Sequence, residues 1–529
     1  MKPNIIIILA DDMGFSDLGC YGSEIKTPNI DSMAEKGVRF TQMYNCARCC
    51  PSRASLLTGL YPHQAGVGYM TGNAGIREYQ GFLREDCATI AEMLGKEGYS
   101  TFMSGKWHVG GNYPPMQSET WTPGNNDHPI PVQRGFNKHY GMLGGAGSYF
   151  HPPYMINGYN LLSPPGQNYY ITDALTEEAL KMIDEAVVSE NPFFLYLAYT
   201  APHWPLHALP EDIAKYEGKY VNKGWNKIRE ERHEKLTGMK ILDPKWKISP
   251  KDEKAPLWQD AREKEWEDLR MAVYAAQVDR MDQGIGRVLQ KLRRLGIEEN
   301  TMVVFLSDNG GCAEFLAEDK DKPEPMRYNM PTPDGRRMHV GNTPDRKPGA
   351  DETFMSYGLP WANASNTPFR LYKSWVHEGG ISTPCVMQWP ATIKKQSIEH
   401  SPCHLIDLTA TCIEAAGAVY PKELKGKKSP VSEGESFMPV LQGKKWKRER
   451  PFFGEHMGNR FVRDGEWKLV SQHQAKDGTG KWELYNMNDD RTELNDLAEK
   501  NKTKRDELEK KYKEWTERCE VLDWPPGKK

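Results

Sequence analysis

"NIIIILADDMG", residues 4–14, sets six apolar residues in a row and closes the run on two carboxylates. A run this short falls far below the roughly 20 residues that span a bilayer. Its unbroken apolarity marks a strand covered on both faces, the kind found in parallel sheets. "FFLYLAY" (193–199) and "MVVFL" (302–306) repeat the pattern, and "YSTFMS" (99–104) and "CVMQW" (385–389) are weaker versions. Helical stretches lie between them: 29–36 before Gly37, 86–97 before Gly98, then 172–188 and 267–296. Strand alternating with helix predicts an α/β fold with a large, doubly wound, mixed but mainly parallel sheet flanked by helices. After about residue 445, "RFVRDGEWKLVS" and "KWELYNM" read as antiparallel strands and "KTKRDELEKKYKEWTERC" as a charged helix. The expected division is a main domain over 1–444 and a smaller α+β subdomain, with an antiparallel sheet, over 445–529.

The 529 residues are 38% hydrophobic and 27% charged, which suits a soluble globular chain. A net charge of −3 supplies no global basic field, so nucleic acid is not an expected partner. A small or terminal anionic group held in a pocket fits better than a long polyanion. Ten cysteines in this length do not make a disulfide scaffold. No membrane span is expected, and "DDMG" follows the first apolar run without a signal-cleavage pattern. Bacterial periplasm or secretion, with the leader absent from this chain, is the expected location, with the cytoplasm left open.

The polar residues that follow the strands carry the chemistry. Asp11 and Asp12 follow 5–10; Asp308 and Asn309 follow 302–306. His203 follows 193–199, and Lys106 and His108 follow 99–104. In open α/β sheets, ligands bind beyond the carboxyl ends of the strands. Asp11, Asp12, Asp308 and Asn309 are hard oxygen donors, suited to Ca²⁺ or Mg²⁺ and not to a soft metal. A helix cap or turn explains one such pair, but not two pairs at equivalent strand ends. Three carboxylates at one edge also repel without a cation.

"NCARCCPSRASLLTGL" (45–60) holds Cys46, Cys49 and Cys50. Pro51 suits a helix start and Gly59 a helix end, so Cys49 falls just before a helix N-terminus, where anions are favoured. A zinc site lacks a second ligand cluster of recognisable spacing, while a Cys46–Cys49 redox pair stays open. The long polar stretches 110–168 and 312–368 read as loops that build or roof a site.

"CCPSRASLLTG" (49–59) fits the pattern C-x-P-S-R-x-x-x-L-T-G, and with "GYSTFMSGKWH" (98–108) it resembles the two signatures of the formylglycine-dependent sulfatases of the alkaline-phosphatase superfamily. "ILADDMG", "TAPHWP" (200–205), "SDNGG" (307–311) and "YKSWVHEGG" (372–380) follow the same family order, and "GLPWANASNTPFR" (358–370) has a bacterial arylsulfatase flavour. The resemblance runs from residue 4 to about 500. It implies a sulfuric ester hydrolase in which a maturation enzyme converts Cys49 to 3-oxoalanine, Cα-formylglycine. One hydroxyl of the hydrated aldehyde attacks sulfur and the other expels sulfate. It further implies a divalent cation, Ca²⁺ ahead of Mg²⁺, on Asp11, Asp12, Asp308, Asn309 and modified Cys49. Asp308 would act as base, Arg53 would hold the alkoxide, Lys106 and Lys373 would clamp sulfate, His203 would protonate the leaving oxygen, and His108 would assist elimination.

The expected substrate is a sulfated sugar or glycan terminus, attacked in an exo manner. Trp107, Trp204, His207, Glu314, Arg336, Arg337 and His339 are candidates to read it, with Tyr149 a further ring. For His207 and His377 a structural or subsite role is the expectation. Cys46 and Cys50 are expected to be ordinary packed thiols. A phosphonate or phosphate ester hydrolase is the alternative enzyme, and a non-catalytic sulfoglycan-binding protein the alternative outside enzymes.

Overall fold

The computed structural model describes residues 2–113, 122–124, 128–163, 165–319, 331–473 and 479–527. Its centre is an 11-stranded sheet. Eight of its strands are β1 (Asn4–Ala10), β2 (Val38–Tyr44), β3 (Ser100–Gly105), β4 (Lys138–Met142), β5 (Met155–Asn157), β6 (Asn160–Leu161), β7 (Phe193–Ala198) and β8 (Thr301–Ser307). β1 lies between β7 and β8 and is parallel to both. β3 continues parallel on β7, and β4 on β3. On the other side, Ser382–Gln388 pairs antiparallel with both β8 and β2. The sheet is therefore mixed and mainly parallel, with the run at 382–388 antiparallel on one side and β5 antiparallel to β4 and β6 on the other.

Alternation along β1 shows why an all-apolar strand is needed here. Ile6, Ile8 and Ala10 enter one core, against the helices Pro28–Lys36, Ile171–Ser189 and Lys264–Arg294. Ile5, Ile7 and Leu9 enter the opposite core, against Cys49–Thr58, Ile90–Lys96 and Leu405–Ala416. Each fully buried isoleucine contributes about 1.5–3 kcal/mol. Three of the expected helices match within a few residues. The fourth begins at Ile90 rather than 86, because Thr89 and Glu92 form a capping box there.

β2 carries no signal in the sequence because "VRFTQMY" mixes polar and apolar residues. Its polar side chains bond to backbone carbonyls of other segments: Arg39 donates to the Cys20 carbonyl, Thr41 to that of Glu399 and Gln42 to that of His400. The helix Gly224–Gly238 is hidden for a similar reason. Its buried Arg232 donates to Asp17 at 2.6 Å and to Glu24 at 2.9 Å, so charge faces inward. Part of the stretch 110–168, taken as loop, forms β4, β5 and β6, which are too short to stand out.

At the C-terminal end, Phe452–His456, Asn459–Asp464, Trp467–Ser471 and Glu483–Asn486 form an antiparallel sheet. Leu508, Tyr512 and Trp515 of the helix Lys502–Cys519 cover one face. The other face packs Phe452, Phe461, Val470 and Tyr485 against Tyr44, Val376 and Ile381 of the main body. A buried ion network crosses this contact. Lys468 donates to Glu378 at 2.8 Å and to Glu493 at 2.7 Å, and Arg491 donates to Glu378 at 3.3 Å. Tyr44, at the end of β2, donates to the same Glu378 carboxylate at 2.9 Å.

Candidate active site

The sheet register brings the strand ends level. Ala10 faces Ser307, and Ala198 faces both Leu9 and Gly105. Asp11, Asp12, Lys106, Asp308 and Asn309 thus leave one edge together, and the loop after β7 adds His203. Asp12 and His108 sit in the left-handed backbone region, with φ of 67° and 56°. Conformations of that kind cost about 1–3 kcal/mol and concentrate where side chains are aimed for function.

Asp11, Asp12 and His203 offer ligand atoms within 4.8 Å of one another. Asn309 donates to Asp12 Oδ1 at 2.7 Å, and the Asp12 backbone N–H donates to Asp308 Oδ1 at 3.2 Å. Cations of the chain crowd the same oxygens. Lys106 donates to Asp11 at 2.5 Å, Lys373 to Asp12 at 2.8 Å, and Arg53 to Asp308 at 2.8 and 3.1 Å. Burial, and then Asp308 beside it, push the Asp11 carboxyl up to about 7. Burial also raises Asp12, but His203 and Lys373 together outweigh it and hold that carboxyl below its ordinary value. Asp11 Oδ1 and Asn309 Oδ1 are buried without a hydrogen-bond partner. Two orphaned hard oxygens beside two further carboxylates fit a divalent hard cation, whose charge would relieve the repulsion that raises Asp11.

The helix expected from Pro51 starts two residues earlier, at Cys49, with Arg48 at its N-cap position. All ten of its residues are buried. A hydrogen bond from Cys50, then the charges of His108, Lys106 and Lys373, hold the Cys49 thiol well below its ordinary range despite burial. Arg53, one turn on, bridges Asp308 and the Lys106 carbonyl, the latter at 2.9 Å. Lys373 Nζ also lies 3.2 Å from His203 Nε2, while His203 Nδ1 lies 2.7 Å from the Trp204 carbonyl oxygen. Tyr149 is buried and donates to the carbonyls of Thr200 and His203, both at 2.8 Å, so it holds the His203 loop rather than offering a ring face.

Several sequence expectations need correction. Trp107 lies in the core with its indole N–H on the Pro129 carbonyl at 2.8 Å, so its ring reaches no substrate. His207 is fully buried between the Thr353 carbonyl, Ser148 and the Tyr149 N–H, a structural position. Arg336 is committed to Asp334, Asp351 and Glu352, and Arg337 pairs with Asp319. Strand alternation turns His339 away from the cluster that its neighbours Met338 and Val340 form with Trp204. Cys46 is a packed thiol beside Ser55, as expected, and His377 is buried with Glu483 at 3.5 Å. Cys50 is more than packed: its Sγ lies 3.2 Å from His108 Nε2.

Glu314 and Trp204 do reach the site mouth. Glu314 joins Arg48 and the Trp204 indole, both at 2.9 Å. Burial raises its carboxyl, and Lys373 with Arg48 overcomes that and holds it far below the ordinary range. A cavity of about 310 Å³ opens here, lined by Arg48, Tyr69, Glu314, Lys373, Trp375 and Met457 among others. Arg48, Tyr69, Trp375 and Met457 went unnoticed in the sequence. They come from four separate segments, and only the adjacency of Arg48 to Cys49 gave any hint.

Comparison with known proteins shows the family. Residues 3–418 match the Sulfatase family, and 369–520 match "N-sulphoglucosamine sulphohydrolase, C-terminal". The chain is 32% identical to an uncharacterized sulfatase of Schizosaccharomyces pombe, over 94% of this chain and 90% of that protein. It is 33% identical to an arylsulfatase of Klebsiella aerogenes, over 80% of this chain and 89% of the relative. Among solved structures, Ps i-CgsB in complex with k-i-k-neocarrahexaose superposes with a TM-score of 0.67 at 25% identity, covering 98% of this chain and 94% of that one. With two thirds of its length and more matched, the chain belongs to the sulfatase family and is a sulfuric ester hydrolase.

Proposed function

We propose that the protein is an exo-acting carbohydrate sulfatase whose nucleophile derives from Cys49 and whose site holds a divalent cation, Ca²⁺ ahead of Mg²⁺. The observation that carries the reading is the convergence of Cys49, Asp11, Asp12, Asp308, Asn309 and three cationic side chains at one sheet edge. Formylglycine at position 49, set by a dedicated maturation enzyme, would supply a hydrated aldehyde with one hydroxyl to attack sulfur and one to release it. Asp11, Asp12, Asp308 and Asn309 would hold the cation, which supplies charge neutralisation and a more acidic hydroxyl.

The chain's own side chains have distinct tasks in this reading. Lys106 and Lys373, now on Asp11 and Asp12, turn to the sulfate oxygens when the anion enters. Arg53 keeps Asp308 oriented as the base toward residue 49. His203 Nε2 carries the proton for the leaving oxygen, the larger need when that oxygen belongs to a sugar alcohol. His108 is held neutral, down to about 4, mainly by burial, so it is free to take a proton in the release step.

The substrate reading rests on the cavity beside Lys373. Its size suits one sugar ring rather than a polymer groove, and a carboxylate, an arginine and aromatic rings surround it. Relatives named as carbohydrate sulfatases, such as N-acetylgalactosamine-6-sulfatase of Rattus norvegicus at 27% identity over 83% of this chain, point the same way. A panel of position-defined sulfated monosaccharides and sulfated polymers tests it: preference for free or terminal residues is expected, and preference for internal sulfates overturns it. Sulfate and phosphodiester esters of one aryl alcohol separate the enzyme classes, with the sulfate ester expected to be the better substrate.

Two further outcomes are expected. Chelation with EDTA should abolish turnover, and Ca²⁺ at about 100 times its Kd should both restore activity and add about 2.7 kcal/mol to unfolding free energy. A melt that ignores Ca²⁺ would contradict the cation site. Second, a Cβ at Gly145 would lie 2.3 Å from His108 Nε2. Gly145→Ala should therefore displace the ring and lower kcat by about 100-fold with KM little changed.

A further inference from the structure

Beside the oxygen cluster lies a second group of potential ligands of opposite character. Cys49 Sγ, Cys50 Sγ and a His108 ring nitrogen all lie within 4.8 Å of one another, and all three residues are buried. Cys50 Sγ is 3.2 Å from His108 Nε2 and 3.8 Å from the thioether sulfur of Met70. Two thiols, an imidazole and an adjacent thioether are a soft donor set, where Asp11, Asp12, Asp308 and Asn309 are a hard one. Cys49 stands between the two.

We propose that the chain, while residue 49 is still a cysteine, binds one thiophilic ion of the Zn²⁺ or Cd²⁺ class on Cys49, Cys50 and His108. Each thiol releases its proton to solvent and forms one metal–sulfur bond, and His108 adds one metal–nitrogen bond. The two thiolates of the complex cancel the charge of a divalent ion, so the occupied site carries no net charge of its own beside Lys106 and Arg53. The site exists only in the thiol form. On the formylglycine reading, the ion must leave before Cys49 is oxidised, so metal in the precursor opposes maturation. Binding itself does not rest on that reading.

The test uses the full chain produced without the maturation enzyme, its Cys49 thiol verified by intact mass. Cd²⁺ is the probe, with excess Ca²⁺ present to occupy the oxygen site. One Cd²⁺ per chain with thiolate-to-cadmium charge-transfer absorbance is expected. Cys50→Ser should weaken it by about 100-fold or more, since even outer ligand partners change metal affinity about 10–100-fold. Cys46→Ala, whose sulfur lies beside Ser55, should leave it unchanged. His108→Ala, on a different segment, should weaken it as Cys50→Ser does and so separates ligand loss from local unfolding. No charge-transfer band under Ca²⁺, or affinity as tight as the parent chain's in either the Cys50→Ser or the His108→Ala variant, overturns the proposal. That failure would leave hydrolysis by the matured enzyme intact, whereas failure of the formylglycine reading would leave cadmium binding intact.

Discussion

Cys49→Ala is expected to lower sulfate-ester turnover by about 10⁴-fold or more while the protein stays folded. Loss of a nucleophile typically costs that much or beyond, because residual rate comes only from binding and electrostatic groups. Cys49 is the first residue of a buried helix and is surrounded by Lys106, Lys373, His108 and Arg53. Lys106, Lys373 and Arg53 keep their charges in the variant, so substrate sulfate should still bind, and KM should change far less than kcat. Cys49→Ser is the sharper comparison, since a serine ester has no second hydroxyl to expel sulfate. A single burst of released alcohol followed by near-zero turnover is expected of it. Cys46→Ala should retain nearly full rate. Turnover of Cys49→Ala within tenfold of the parent would remove Cys49 from the chemistry.

The second large effect lies away from the site. Lys468→Met should destabilise the protein by about 3–5 kcal/mol, the usual consequence of stranding a buried charge. Lys468 is fully buried and holds both Glu378 and Glu493, themselves buried. Without it, the two buried carboxylates lose the one cation that bonds both, and Arg491 at 3.3 Å from Glu378 compensates in part. The network ties the C-terminal sheet to Tyr44 and to the segment after Lys373, so loosening should reach the site mouth. Urea unfolding followed by tryptophan fluorescence reads the loss. Replacing Lys468, Glu378 and Glu493 together by apolar residues of similar size should recover much of it. A stability change below 1 kcal/mol in Lys468→Met would mean that the network carries no such weight.

The sequence made the sheet legible where burial on both faces demanded unbroken apolar runs, as at 5–10, 193–199 and 302–306. It hid β2, whose buried Thr41 and Gln42 and half-buried Arg39 are held by hydrogen bonds rather than apolar contact. The hard oxygen set was legible because it sits directly after those runs. The wall of the neighbouring cavity was legible only at Glu314 and Lys373, since Tyr69, Trp375 and Met457 meet them only through the folding of separate loops. Trp107 misled for the same reason: a residue next to Lys106 in sequence points to the other side of the strand end, into the core. Cys50 misled in the opposite direction, because nothing in "CCPSR" shows that its sulfur meets His108.

The most direct measurement is the mass of the peptide spanning residues 45–60, taken from a preparation with full sulfatase activity. Sulfur lost and oxygen gained at Cys49, with Cys46 and Cys50 intact, is the result expected. An unmodified thiol at Cys49 in fully active enzyme would contradict the account.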